Sequence, residues 1–191
     1  MVDKSKDDIE ATKSSKAFKY YKTEPEAVIR HDIYLTDEVI ESKNYFDILN
    51  LLDTATSSDC FFFHLNSFGG YLHTAIQFIN SLRNSEAGHI QMIVEAPVYS
   101  AASLIALCVE DVVVCDNTFL MFHTYSGLNM GKGHEQEAAI KAEQFHITNT
   151  YRDILLGFLT KKEINDIRKG MDIYVHAEEA RKRLEKRNKK Q

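Results

Sequence analysis

At 191 residues, 44% hydrophobic and 27% charged, the chain has the size and composition of one soluble globular domain with short tails. No apolar run approaches the roughly 20 residues of a transmembrane helix, and the N-terminus, with Lys4, Lys6, Asp7, Asp8 and Glu10, lacks the apolar stretch of a signal peptide. The net charge of −5 argues against a general nucleic-acid binder. The expectation is a cytoplasmic protein that meets neither membrane nor nucleic acid.

Residues 1–24 are polar with little periodicity and read as a mobile N-terminal arm. From Val28 to Leu35 the pattern is that of a strand, and Ser42 offers a helix cap before Tyr45, Ile48, Leu49 and Leu52 at helical spacing. Cys60 to Leu65 is a short apolar run, predicting a strand covered on both faces, which stops at Asn66-Ser67-Phe68-Gly69-Gly70. Leu72, Ala75, Ile76, Ile79 and Leu82 then mark a helix face, and Ile90 to Val94 a further buried strand. Ala101 to Val109 predicts an apolar helix, followed by two short strands over Val112–Cys115 and Phe119–Phe122. A long helix is expected from about His134 to Leu159, and Thr160 with Glu163 makes a capping box for another helix ending at Gly170. Asp172 to Val175 reads as a last strand and Ala177 to Lys186 as a last helix, the stretch from Arg181 onward being strongly basic.

Repeated βα alternation predicts an α/β domain with a mostly parallel sheet over residues 25–180, flanked by the arm and by a basic tail over 181–191. Ligands of such sheets gather at the C-terminal ends of the strands, where the glycine turn and the apolar helix both start. The three cysteines, Cys60, Cys108 and Cys115, lie in apolar surroundings without zinc-ligand spacing and read as buried reduced thiols, so neither metal nor cofactor is expected.

Acyl transfer needs a nucleophile, a base, an orienting acid and N–H donors aimed at the developing oxyanion. Ser103, at the beginning of an apolar helix behind a buried strand, is the candidate nucleophile, with Ser100 its nearest rival. Gly70, in a turn where the backbone can approach a ligand closely, and the N–H of Leu104 are the candidate oxyanion donors.

Four segments in order, Leu65-Asn66-Ser67-Phe68-Gly69-Gly70, Ala101-Ala102-Ser103-Leu104, Met121-Phe122-His123 and Met171-Asp172 through Ala180, resemble the proteolytic subunit of the Clp protease over roughly Ile29 to Ala180. The resemblance implies the ClpP/crotonase-like fold and a serine peptidase with Ser103 as nucleophile, His123 as base and Asp172 as orienting acid, Asp153 and Asp166 being rivals for the last role. It implies an unfolded protein or peptide as substrate, lying extended beside the Gly70 strand, with Gly69, Tyr71, Thr124 and Tyr125 in contact. It further implies a homo-oligomeric ring fed by an ATP-driven AAA+ unfoldase. The chain departs from the family where Phe68 replaces the usual proline, where Thr124-Tyr125-Ser126-Gly127 follows His123, and where the C-terminus turns basic. Competing readings are a signal-peptide-peptidase-like or prohead-type protease with Lys132 or Lys141 as base, a crotonase-type acyl-CoA enzyme, and a catalytically silent ring subunit.

Overall fold

A computed structural model describes residues 20–23, 28–124 and 132–189 of the chain. The elements run β1 (Tyr20–Thr23), β2 (Ile29–Val39), α1 (Phe46–Asp53), β3 (Asp59–Gly70), α2 (Leu72–Asn84), β4 (His89–Val94), β5 (Val98–Tyr99) and α3 (Ala101–Leu107). They continue with β6 (Asp111–Val114), β7 (Phe119–Phe122), α4 (Gly133–Leu155), α5 (Lys161–Arg168), β8 (Ile173–His176) and α6 (Ala177–Asn188). Among the described residues no helix is long and apolar enough to cross a membrane.

The strands form two sheets. β2, β3, β4 and β6 are parallel in that order, with β1 antiparallel on the outer edge, and β5, β7 and β8 make a smaller sheet in which β7 and β8 are antiparallel. The α/β class with a mostly parallel sheet of βα units is therefore the one the alternation predicts. Division into two sheets was not legible, because β5 is only two residues long and carries no period of its own.

Strand β3 differs from expectation twice. It continues through Asn66–Gly70, because β2 runs alongside as far as Val39 and supplies ladder partners, with an irregularity at Asp37, whose φ is +62°. Its burial also alternates: Phe61, Phe63 and Leu65 are fully buried, whereas Cys60, Phe62 and His64 face a partly open side. On that open side Arg30 lies over the Phe62 ring, and His64 stacks on Tyr34 while bonding Asp32 and Glu95. The three cysteines are free thiols on partly exposed residues; the Cys108 sulfur itself points inward, and its burial pushes the pKa up to about 12.

Part of the expected arm is strand β1, and residues 1–19 lie outside the described residues. At the other end, the expected basic tail is packed helix as far as Asn188, with Leu184 and Arg187 buried. Arg187 is held there because its guanidinium donates to the carbonyl of Leu107 at the end of α3 and to those of Val109 and Glu110 just beyond it. Arg183 clamps α6 to α5 through both oxygens of Glu163, and Glu163 also closes the expected capping box with Thr160. Helix α4 stops at Leu155, short of Leu159, since Gly157 adopts a φ of +109° that no helix continues.

At the strand N-termini, His31 is buried with Nε2 2.6 Å from Asp59 Oδ1, while Thr56 donates its N–H and hydroxyl to the other carboxylate oxygen. Burial works to raise the Asp59 pKa, but the hydrogen bonds from His31 and Thr56 outweigh it and hold the carboxyl below the usual range. A depressed carboxylate contributes stability above its unfolded value of about 3.9 and loses it as pH falls through the lower folded value. Asp59→Ala is expected to cost about 1–3 kcal/mol at pH 7 by removing the buried hydrogen bond to His31 and the two from Thr56. The deficit against wild type should shrink as pH falls through the lowered Asp59 value, read from urea midpoints across the pH range.

Candidate active site

The site is built where β5 turns into α3. Val98 and Tyr99 pair in parallel with Leu120 and Met121 of β7, and the Ser100 N–H donates to the Met121 carbonyl at 2.9 Å. Ser100 then turns the chain at φ +54°, ψ −123°, a region that L-residues rarely enter, and α3 begins at once. So sharp a strand-to-helix turn pushes the serine side chain out of the ladder instead of into the helix, the geometry of a nucleophile elbow. There, Ser100 Oγ lies 2.7 Å from His123 Nε2.

Ser103, the expected nucleophile, is not brought to His123. It sits inside the first turn of α3, is 0% exposed, and its Oγ lies 3.1 Å from the Val98 carbonyl and 2.9 Å from the Met121 carbonyl. Its hydroxyl thus ties β5 to β7, the strands that carry Ser100 and His123. The expected oxyanion donors shift in the same way. The Leu104 N–H is spent within α3 on the Ser100 carbonyl at 3.3 Å, whereas the Ala101 N–H opens the helix and has no carbonyl four residues back within it.

Gly70 packs its α-carbon against the backbone of Val39, so it faces β2. Gly69, at φ +82°, is the glycine beside the serine: a Cβ added there would meet the Tyr99 oxygen at 2.6 Å and Ser100 Cβ at 2.9 Å. Gly69 N–H donates to Ser67 Oγ at 3.2 Å, and Ser67 in turn donates to the Asp37 carbonyl at 2.6 Å, which stiffens the turn.

His123 stands one residue beyond β7. The β7–β8 register runs from Phe119 with His176 to Phe122 with Ile173 and ends there, so His123 and Asp172 each stand one residue beyond the paired strands, at the same end of the small sheet. Among the described residues no hydrogen bond or ion pair joins Asp172 to His123, and Asp172 is exposed. Its rivals are engaged elsewhere: Asp153 pairs with Arg83 at 2.6 Å, and Asp166 faces Lys162 within α5.

Of the expected substrate contacts, Tyr71 is exposed at the start of α2 beside the Gly-Gly turn. Thr124 helps line a cavity of about 390 Å³ with Gln144, Ile147, Thr148, Asn165 and Arg168, and Tyr125 lies outside the described residues. Phe68 is exposed and leans on Tyr99, with ring centroids 5.6 Å apart, so the residue that replaces proline presents an aromatic surface next to Ser100.

A hydroxyl hydrogen-bonded to an imidazole nitrogen, next to the first N–H of a helix, can act as an activated nucleophile. Sequence reading placed Ser100 second, as the nearest rival, because the Ala-Ala-Ser match drew attention three residues on; the signal in its favour was its place immediately before Ala101-Ala102, at the strand-to-helix join. Ser103→Ala is expected to lower stability by about 1–3 kcal/mol, since two buried carbonyls lose their shared donor, while labelling by a fluorophosphonate probe persists. Gly69→Ala should abolish labelling and lower the melting temperature, because the added methyl collides with Tyr99 and Ser100.

A family model described as Clp protease matches residues 15–183. No curated protein matches the chain. The match takes in both sheets, the Ser100–His123 contact and the first half of α6, and on that extent the chain belongs to the Clp protease family.

Proposed function

We propose that the chain is a serine endopeptidase in which Ser100 is the nucleophile, His123 its general base and Asp172 the group that orients the base. The single observation that carries this reading is the 2.7 Å contact between Ser100 Oγ and His123 Nε2, in a chain whose family implies a peptidase. His123 Nε2 takes the proton from Ser100 Oγ as the oxygen attacks the scissile carbonyl carbon. The resulting oxyanion is received by the Ala101 N–H together with the Gly70 N–H. The imidazolium then hands its proton to the leaving amine, and a water activated by the same base releases the acyl group. With Nε2 accepting from serine, the other nitrogen carries a proton, and Asp172 takes that hydrogen bond when the β7–β8 ladder extends by one pair.

The edge of β3 near the Gly-Gly turn suits an extended peptide, so the substrate is an unfolded protein or peptide rather than a folded domain. Rings are usual in this family, and the natural setting is a homo-oligomeric ring in the cytoplasm, supplied by an ATP-driven unfoldase. A lysine base is disfavoured by the contact that Ser100 already makes, and Lys141 is paired with Glu137 on the exposed surface of α4.

Ser100→Ala and His123→Ala are each expected to lower peptide cleavage by about 10⁴-fold or more. Lys132→Ala and Lys141→Ala should leave it within a few-fold of wild type. Labelling by a fluorophosphonate should disappear in Ser100→Ala alone among the serine variants. Undiminished labelling of a folded Ser100→Ala protein, with loss in Ser103→Ala, would sink the assignment.

A further inference from the structure

His123 is the first residue past the registered pairs of β7 and β8, so that ladder does not set where its backbone goes. What meets it is the last third of α4. Tyr151 lies on the buried stripe of that helix formed by Ile147, Tyr151, Ile154 and Leu155, is 5% exposed, and donates its hydroxyl to the His123 carbonyl at 2.8 Å.

We propose that Tyr151 is a positioning residue for the base: its hydroxyl holds the His123 carbonyl, and through it the imidazole, within hydrogen-bonding distance of Ser100 Oγ. The inference rests on the Ser100–His123 reading and extends it to a residue that touches neither substrate nor the reacting atoms. The imidazole is fixed to its own backbone by two rotatable bonds, so a shift of the carbonyl by about 1 Å carries Nε2 out of line, and misplacement on that scale costs up to about 10²-fold in rate. The donor does not titrate away near neutrality, because burial pushes the Tyr151 pKa up to about 12.

Tyr151→Phe in the full chain removes only the hydroxyl and keeps the ring in its packing. The rate of fluorophosphonate labelling and kcat should fall about tenfold or more, with KM within twofold and the melting temperature within a few degrees. Because Tyr151 acts through His123, Tyr151→Phe should slow labelling no further in a His123→Ala background. Ile154→Val loosens the same stripe without touching the hydroxyl and should label at the wild-type rate, which separates positioning from packing even if Tyr151→Phe melts early. A Tyr151→Phe rate within twofold of wild type, a full tenfold loss added on top of His123→Ala, or an equal loss in Ile154→Val would each overturn the inference. Normal labelling of Ser100→Ala would instead bring down the site reading beneath it.

Discussion

The backbone of Ser100 is the constraint on which the rest of the site hangs. A non-glycine residue at φ +54°, ψ −123° costs on the order of 1–3 kcal/mol and persists only where its surroundings over-determine it. Here they do. The Ser100 N–H is fixed to Met121, the absence of a side chain at Gly69 leaves room for the Tyr99 carbonyl and Ser100 Cβ, and Ser103 locks β5 to β7 from beneath. Relaxing the turn into an ordinary helix start would swing the hydroxyl away from His123. The strain is therefore what presents the oxygen.

Two buried hydroxyls, one on each side of the contact, hold its members in place. Ser103 acts on the strand pair and Tyr151 on the residue that leaves it, and both direct their protons at main-chain carbonyls rather than at the reacting groups. Both bonds bear on the placement of a hydroxyl and an imidazole 23 residues apart.

The C-terminal third secures the small sheet. Arg183 ties α6 to α5 through Glu163, and Arg187 ties it to the end of α3. β8, which Asp172 immediately precedes, lies between α5 and α6 and is held from both ends. The His31–Asp59 pair works at the far end of the parallel sheet, where it closes the N-termini of β2 and β3 and has no part in the chemistry.

By itself the sequence determined the alternation of strands and helices, the capping box at Thr160, the helix stop at Gly170 and the order of the motifs, since each depends on near neighbours in the chain. Hydrophobic period and capping chemistry are local, and they survive being read one residue after another. Only the tertiary structure decided which serine faces the histidine, which glycine backs it, and that β5, β7 and β8 leave the main sheet. Those outcomes rest on a positive φ at a serine, on the packing of Gly69 against Tyr99, and on hydrogen bonds between residues 18 to 28 apart. Residue types alone do not separate the two serines: Ser100 and Ser103 are chemically identical, and only the turn between strand and helix leaves one half-buried beside the histidine and the other in the core.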